Sequence, residues 1–253
     1  MTFLWEHIAF GPIRSRRLGS SLGINVLPTN VKLCSFDCLY CECGWSLTRE
    51  WQPENFYPLA EIMQAIEAKI KECHSKNVEI DSITFSGNGE PTLHPEFGTI
   101  VEHLISIRNQ YYPHTIITCL SNSTQLHRAD VKRALLQIEN PLLKLDAGSE
   151  DMFQRINRPH PPVSLAEVVE HLKDFKGKSG IQTLFFKGDF GDNTTDSEVR
   201  LWLEHLNRIR PEKVLIYSLD RETPASSLQK IPQEKLEQIA EQVRELKLKV
   251  FVY

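Results

Sequence analysis

The sequence Cys34-Ser-Phe-Asp-Cys38-Leu-Tyr-Cys41-Glu-Cys43 holds four of the chain's six cysteines. A disulfide framework spreads its cysteines along a chain, whereas clustered thiols in a reducing compartment indicate metal or redox chemistry. The spacing of Cys34, Cys38 and Cys41 favours an iron–sulfur cluster bound at three irons, with the fourth iron open to a non-protein ligand. A structural zinc site with Cys43 as the fourth ligand is the alternative, but four-thiolate zinc sites usually use two well-separated pairs of cysteines.

The composition around this stretch is that of an ordinary globular protein. The chain has 253 residues, a formal net charge of −4 and 41% hydrophobic residues, which excludes disorder as its main state. No apolar run approaches the roughly 20 residues that span a bilayer, and the first residues lack the basic region of a signal peptide. We therefore expect a cytoplasmic protein with reduced thiols and no membrane association.

Short β-rich runs alternate with longer stretches of helical periodicity along the chain. The predicted strands are Gly23–Leu27, Ile80–Phe85, Thr115–Leu120, Leu142–Asp146, Gln182–Lys187 and Lys213–Ser218, with Lys249–Val252 as a candidate closing strand. The predicted helices are Leu59–Cys73, Phe97–Arg108, Arg128–Ile138, Leu165–Phe175, Glu198–Ile209 and Glu234–Leu246. This alternation predicts an α/β fold with parallel strands, either an open doubly wound sheet or a barrel, and six βα units fit a partial barrel.

In both architectures the chemistry lies at the carboxyl ends of the strands. The second strand leads into Ser86-Gly-Asn-Gly-Glu-Pro91, where two glycines allow a ligand to approach the backbone and Glu90 offers a carboxylate to an ammonium group. A plain glycine-rich turn is the alternative interpretation. Ser121–Thr124, after the third strand, suits a ribose hydroxyl or, more commonly, the cap of the next helix. Asp146 ends the fourth strand, where acids serve in sites and in turns.

The cysteine motif, with Tyr40 before its last cysteine, resembles the signature of radical S-adenosylmethionine (radical SAM) enzymes. Ser86–Pro91 resembles the Gly-Gly-Glu-Pro motif of that superfamily, with Asn88 interrupting the glycine pair. The order of the motifs and the six βα units fit its partial (β/α)6 barrel. The resemblance implies one domain over residues 1–253, in which a basic N-terminal segment (1–33) and a cluster loop (34–44) precede the remaining βα units (59–253).

Several segments also resemble the wyosine-synthetase-like branch of these iron–sulfur proteins, over residues from Phe10 to Arg221. They are Gly11–Gly19, Ser21–Gly23, Cys41–Gly44, Gly89–Pro95 and Leu145–Ala147. Archaeal wyosine synthesis on transfer RNA uses a second cluster with cysteines upstream of the first motif, and no cysteine precedes Cys34. That departure, together with the acidic balance of the chain, disfavours RNA as the partner.

The resemblance implies that Cys34, Cys38 and Cys41 bind three irons of a [4Fe–4S] cluster, whose fourth iron binds S-adenosylmethionine. The residues implied to hold this second cofactor are Tyr40, Gly87, Asn88, Gly89, Glu90, Ser121, Asn122 and Asp146. Glu90 and the adjacent glycine backbone would hold the methionine amino end, and Ser121 and Asn122 would contact the ribose. The backbone around Tyr40 would meet the adenine, and Asp146 would lie near the cofactor.

The implied reaction is reductive cleavage of S-adenosylmethionine to a 5′-deoxyadenosyl radical that abstracts hydrogen from an unidentified substrate. A low-potential donor such as flavodoxin or ferredoxin would reduce the cluster. Modification of a transfer-RNA base by wyosine-type chemistry and a non-catalytic metal-binding module are the alternatives. Residues expected near the substrate, unless they are ordinary solvated charges, are Arg158, His160 and Arg221, and Arg14–Arg17 suit a substrate phosphate, the cofactor carboxylate or a structural ion pair.

Overall fold

A curved, mostly parallel sheet forms the centre of the computed structural model, which describes residues 3–46, 52–221 and 223–253. Its strand order is β1 (Ala9–Ser15), β2 (Gly19–Ile24), β3 (Ser82–Phe85), β4 (Ile116–Ser121), β5 (Asn140–Lys144), β6 (Gly180–Gly188), β8 (Lys213–Ser218) and β10 (Val250–Val252). All neighbours from β2 to β10 pair in parallel, whereas β1 pairs antiparallel with β2. Two short strands, β7 (Gly191–Asp192) and β9 (Gln229–Lys230), pair antiparallel with β6.

The helices that connect these strands bury one apolar stripe each. They are α1 (Leu59–Ser75), α2 (Phe97–Tyr111), α3 (Ala129–Leu135), α4 (Glu150–Asn157), α5 (Leu165–Lys173), α6 (Asp196–Ile209) and α7 (Gln233–Glu245). In α1, for example, Ile62, Ile66 and Ile70 recur every four residues and are fully buried. These helices cover the sheet while the loops at its carboxyl edge stay free to build a site.

A buried ladder of polar side chains crosses four of the strands. The hydroxyls of Ser21 and Thr84 lie 2.8 Å apart, as do those of Ser82 and Thr118. Asn140 donates from Nδ2 to the Thr118 hydroxyl at 2.9 Å, so that the hydrogen bonds reach β5. Because a one-residue slip would break these bonds, the ladder fixes the register of the strands that carry the site.

The predicted partial (β/α)6 barrel is confirmed as an open α/β sheet, and the candidate closing strand is present as β10, parallel to β8. The N-terminal hairpin differs from the sequence prediction, which began the first strand at Gly23 and did not include β1. Gly11, Pro12 and the arginines of this segment hide its strand pattern, and pairing with β2 provides the order that local propensity lacks. Helix α4 was also not predicted, and β5 ends before Asp146, which lies in the following loop.

Candidate cofactor site at the carboxyl ends of the strands

A cavity of about 240 Å³ opens at the carboxyl ends of the parallel strands. The hairpin turn, the loops after β2, β3 and β4, and the strands β5, β6 and β8 all contribute to its wall. The lining residues are Arg17, Cys34, Phe36, Cys38, Tyr40, Cys41, Cys43, Ser86, Gly87, Gly89, Glu90, Leu120, Ser121, Asn122, Lys144, Gln182 and Tyr217. The fold thus brings the three predicted thiols together with most of the residues predicted to hold S-adenosylmethionine.

The loop that carries the thiols is joined to the glycine–glutamate loop by backbone pairing. Leu33 donates its N–H to the carbonyl of Asn88 at 2.8 Å, and the N–H of Glu90 donates to the carbonyl of Leu33 at 3.0 Å. Gly89 lies opposite Leu33 in this short parallel bridge with φ +142°, and a Cβ there would lie 1.8 Å from the Leu33 carbonyl oxygen. Only glycine lets the two loops approach so closely.

The sulfur atoms of two predicted ligands accept hydrogen bonds from nitrogen donors. The Sγ of Cys34 accepts from the Phe36 N–H at 3.4 Å and from Asn122 Nδ2 at 3.6 Å. Asn157 Nδ2 donates to the Sγ of Cys38 at 3.4 Å. Burial raises the pKa of both thiols, so their ionisation is favoured by iron binding rather than by the protein alone. Donors aimed at sulfur also tune the potential of iron–sulfur clusters.

Lys32 is a buried cation beneath the cluster loop. Its Nζ donates to Asp37 Oδ1 and to the carbonyl of Gly44, both at 2.9 Å, and so ties together two ends of the loop. Burial acts to lower the pKa of Lys32, but the charges of the loop thiolates, led by Cys41, outweigh it and the pKa is raised. The lysine therefore stays charged and offsets negative charge on the sulfur atoms.

Glu90 is a fully buried carboxylate in the wall of the same cavity. One oxygen accepts the backbone N–H of Asn122 at 2.5 Å, and the other accepts the N–H of Thr92 at 3.0 Å and its hydroxyl. Burial raises the pKa of Glu90 in spite of these hydrogen bonds. Burial disfavours the charged form of Glu90. A cationic ligand group in the cavity would therefore stabilise the carboxylate and be bound by it.

Tyr40 belongs to a buried polar network that reaches back to the sheet. Its hydroxyl donates to Asp146 and accepts from Lys144 Nζ at 2.7 Å. Asp146 also accepts from Asn157 Nδ2 at 3.0 Å and from the N–H of Leu184 at 3.0 Å. Burial raises the pKa of Tyr40 well above its ordinary value, so the phenol stays protonated. The network holds the Tyr40 ring rigidly against the cavity.

Two of the predicted site residues do not line the cavity. Asn88 is buried, and its side chain accepts from the N–H of Trp5 at 2.8 Å and donates to the carbonyl of Pro28 at 2.9 Å, so it anchors the N-terminal segment. Asp146 acts through Tyr40 and Lys144 instead of facing the cavity. The remaining predicted ligands and contacts are all part of the wall.

The polar run after β4 does not cap the next helix, although capping was its more common use. Helix α3 begins at Ala129 with Arg128 at its N-cap. Asn122 instead accepts from the N–H of Thr124 at 3.0 Å and donates from Nδ2 to the Ser35 hydroxyl at 2.9 Å. The run therefore connects the end of β4 to the cluster loop.

The later charged residues lie outside the central cavity. Arg158 is stacked on Trp45, with its Cζ 5.1 Å from the ring centroid. Arg221 pairs with Glu42 at 2.6 Å and lines a smaller cavity of about 90 Å³ beside the central one. His160 donates its backbone N–H to the carbonyl of Ser35 at 2.8 Å. Of the three residues, Arg221 alone lines the cavity beside the central one.

Sequence reasoning missed three polar residues of the site, namely Lys32, Lys144 and Asn157. Lys32 and Lys144 read as ordinary charged positions, because burial of a lysine depends on partners that are distant in sequence. Asn157 ends α4, a helix of only eight residues that was not predicted. The position of Lys32, two residues before Cys34, is the one signal that was available.

The three thiols of the cavity suit a cluster of several irons better than a single metal ion. Within residues 3–46, 52–221 and 223–253, no three His, Cys, Asp or Glu side chains converge as a ligand group for one metal ion. The three thiols instead line one cavity, beside two buried lysines and nitrogen donors to sulfur. This arrangement fits separate irons of an iron–sulfur cluster better than a four-thiolate zinc ion.

A protein-family model matches the part of the chain that carries the site. Residues 31–196 match the model of the radical SAM superfamily. A UPF0026 protein of Methanocaldococcus jannaschii is 34% identical over 214 residues, which cover 81% of this chain and 61% of that protein. The chain therefore spans about three-fifths of the length of this relative.

Solved structures share the fold at low sequence identity. A radical SAM methyltransferase from Sphaerobacter thermophilus has a TM-score of 0.65 at 13% identity, over 92% of this chain and 65% of that one. Archaeal TYW1, a wyosine synthetase, has a TM-score of 0.54 at 15% identity, over 89% of this chain and 71% of that one. Both likenesses show the open, mostly parallel α/β architecture. No helix in the described part of the chain is long and apolar enough to cross a membrane.

Proposed function

The chain belongs to the radical SAM superfamily, and on that premise we propose that it binds a [4Fe–4S] cluster through Cys34, Cys38 and Cys41 and cleaves S-adenosylmethionine reductively. When both are bound, the cluster would supply the electron for that cleavage, and the 5′-deoxyadenosyl group would supply hydrogen-abstracting radical chemistry toward a substrate still to be identified. We infer a cytoplasmic location, a low-potential flavodoxin or ferredoxin as electron donor, and a substrate other than RNA.

One observation carries this proposal: the three thiols and Glu90 face the same cavity from loops that are joined by the Leu33–Gly89 bridge. A ligand that binds an open iron through its amino nitrogen also has N–H groups that need a hydrogen-bond acceptor. Glu90 provides a buried carboxylate with hydrogen bonds that fix its position. The bridge keeps the distance between the thiols and this carboxylate constant.

The other residues of the wall position the organic cofactor. The backbone of Gly87 and Gly89 lines the cavity beside Glu90 and would meet the ligand there. Ser121 and Asn122 present polar groups for ribose hydroxyls, and the Asn122 side chain is already held by Ser35. Tyr40 provides a rigid aromatic wall near the adenine, because Asp146 and Lys144 fix its hydroxyl.

Asn88 and Asp146 act indirectly in this proposal. Asn88 holds the loop between Gly87 and Gly89 by bonding Trp5 and Pro28. Asp146 neutralises Lys144 and orients Tyr40. Both are positioning residues whose loss would loosen the cavity wall.

The test is anaerobic reconstitution with iron and sulfide, followed by reduction with dithionite in the presence of S-adenosylmethionine and chromatography for 5′-deoxyadenosine. We expect iron and sulfide to bind in a ratio near that of a [4Fe–4S] cluster, and 5′-deoxyadenosine to form. Replacement of Cys34, Cys38 or Cys41 by Ala should abolish both, because each removes one iron ligand. Zinc bound without sulfide would contradict the proposal and support a non-catalytic metal-binding module.

Cys43→Ala is the matched control for these variants. Cys43 lines the same cavity, and its Sγ donates to the Gly87 carbonyl at 3.5 Å, but it stands outside the three-cysteine motif. We expect this variant to keep its iron and sulfide. Loss of the cluster on this change would instead indicate a site of four cysteines.

A further inference from the structure

Three residues in the wall of the central cavity are not among those proposed to hold the cluster or S-adenosylmethionine. Arg17, Gln182 and Tyr217 line it from the β1–β2 turn, β6 and β8. In the sheet order, β6 and β8 are separated by β5 from the strands β2, β3 and β4 that precede the thiols, Glu90 and Asn122. The curved sheet thus gives the cavity a second wall, which we call the Arg17 wall.

The Arg17 guanidinium is held on one face and at one edge. Its Cζ lies 4.3 Å from the ring centroid of Tyr217, and its Nη1 donates to Gln182 Oε1 at 3.2 Å. The hydroxyl of Ser15 accepts the backbone N–H of Arg17 at 3.3 Å, which shapes the turn. The Gln182 amide is oriented in its turn, because Nε2 donates to the carbonyl of Leu142 at 3.3 Å.

Arg17 also differs from Arg16 and Lys144 in having no acidic partner among the residues that the structure describes. Arg16 pairs with Asp220 at 3.1 Å, and Lys144, the other basic residue of the cavity wall, pairs with Asp146 at 3.3 Å. In the described ranges Arg17 makes no ion pair, and its contacts are a neutral amide and an aromatic face. A guanidinium has five N–H donors, so most of those of Arg17 remain free for a ligand.

The Tyr217 hydroxyl adds a second donor to this wall. It makes no hydrogen bond with any residue that the structure describes, although Tyr217 is half-buried beside Lys144 and Tyr40. Arg17, Tyr40 and Tyr217 also line the smaller cavity of about 90 Å³. The Arg17 wall therefore stands where the two cavities meet, and a ligand held there can extend into both.

We propose that Arg17, Gln182 and Tyr217 form a subsite that binds an oxyanion of the substrate, a carboxylate or a phosphate group. The planar guanidinium fork matches two oxygens of such a group, and stacking on Tyr217 fixes its direction. Gln182 holds the guanidinium edge, and the Tyr217 hydroxyl supplies a further hydrogen bond. The proposal rests on the proposed function, since it assigns the substrate of the same cavity.

The test is direct binding without turnover. Inorganic phosphate and malonate are titrated by calorimetry into the reconstituted protein that is saturated with S-adenosylmethionine under anaerobic conditions. We expect Arg17→Gln to weaken binding of the preferred anion by about tenfold or more, since charge-assisted hydrogen bonds are lost. Whichever anion binds more tightly to the wild-type protein identifies the group as phosphate or carboxylate.

Three further variants separate recognition from general charge and from folding. Arg14→Gln removes an exposed charge from the same hairpin at a position outside the central cavity, so it should leave anion binding unchanged. Tyr217→Phe keeps the stacking surface and loses the hydroxyl, so it should weaken binding by a smaller factor. Arg17→Lys keeps the charge but loses the planar guanidinium. We expect its affinity for the anion to lie between those of the wild type and Arg17→Gln.

Three results would overturn the subsite: unchanged anion binding in Arg17→Gln, an equal loss in Arg14→Gln, or no anion binding by the wild-type protein. A weaker affinity of Arg17→Gln for S-adenosylmethionine, measured in the absence of either anion, would assign Arg17 to the cofactor and also overturn it. Formation of 5′-deoxyadenosine is followed separately in the same samples. If the wild-type protein forms no 5′-deoxyadenosine, the proposed function is contradicted. The calorimetry would still show whether anion binding depends on Arg17.

Discussion

Gly89 shows how a single backbone position holds the site together. An alanine Cβ at this position would collide with the Leu33 carbonyl and would also require an L-residue to adopt a positive φ. We expect Gly89→Ala to lower the free energy of unfolding by about 2–4 kcal/mol and to reduce cluster incorporation, because the two loops must separate. Chemical denaturation of the purified variant and its iron content measure the two effects.

Gly98→Ala is the matched control for that change. Gly98 lies in the first turn of α2, and the nearest atom to an added Cβ is the Asp130 carbonyl oxygen at 3.9 Å. Alanine there should be neutral or stabilising by about 0.5–1 kcal/mol. If both variants have the same free energy of unfolding and the same iron content, the contact with Leu33 does not require glycine at position 89.

At the scale of residues, the sequence motifs named most of the residues that line the central cavity. The cysteine spacing and the glycine–glutamate run depend on short local patterns, which a single sequence displays directly. Lys32 and Asn157 were missed because their importance comes from burial beside sulfur atoms, and burial is set by tertiary contacts. Asn88 was assigned to the cofactor from its place in the motif that resembles Gly-Gly-Glu-Pro, whereas its side chain bonds the N-terminal segment.

Among the elements, Glu139 links α2 and β4 to the loop before β5. Its carboxylate pairs with Arg108 at 2.9 Å and accepts the N–H of Ile117 at 2.9 Å. Burial acts to raise the pKa of Glu139, but these hydrogen bonds outweigh it and the pKa lies below its ordinary value of 4.5. A lowered carboxyl pKa adds stability above the unfolded pKa, and that stability is lost as the pH falls through the folded pKa.

We therefore expect Glu139→Gln to be less stable than the wild type near neutral pH and to lose that difference on acidification. Urea denaturation at several values between about pH 6 and about pH 3 gives the two stability curves. Glu241→Gln, which removes an exposed partner of Arg244 on α7, serves as the control and should change little at any pH. A constant gap between wild type and Glu139→Gln across this range would contradict the assignment.

The element pattern was predictable where helices and strands are periodic and buried. The apolar stripe of α1 and the β-branched run of β3 are examples in which local sequence and packing agree. Strand β1 escaped prediction because its pairing with β2 compensates for a weak local signal. Helix α4 has an apolar face but only eight residues, and its backbone carbonyls accept hydrogen bonds from the cluster loop. Helix α4 ends in Asn157, so the missing helix explains one of the three missed residues.

For the molecule as a whole, the cavity connects distant parts of the sheet, from the loop after β2 to Tyr217 on β8. A ligand that fills this cavity contacts both halves of the sheet. It binds the folded protein and not the unfolded chain, because the cavity exists only in the folded state. We expect S-adenosylmethionine, at about 100 times its dissociation constant, to stabilise the reconstituted protein by about 2.7 kcal/mol. Thermal unfolding under anaerobic conditions, with and without the cofactor, measures the shift.

The Cys38→Ala variant is the control for this prediction. It should lack the cluster and therefore show a much smaller shift with the same concentration of S-adenosylmethionine. A shift of equal size in this variant would mean that the cofactor binds without the iron, and the thiols would lose their assigned part in holding it.

The Leu33–Gly89 bridge has a consequence for protein engineering. Surface loops usually tolerate insertions and transfer between scaffolds, because few contacts fix their length. Here two loops from neighbouring strands share backbone hydrogen bonds at their tips, so neither has an independent length or shape. If residues 34–44 alone were transplanted into another barrel, the thiols would be transferred, but their distance from the Glu90 carboxylate would not be preserved. The smallest transferable unit is the pair of loops together with the strands β2 and β3 that align them.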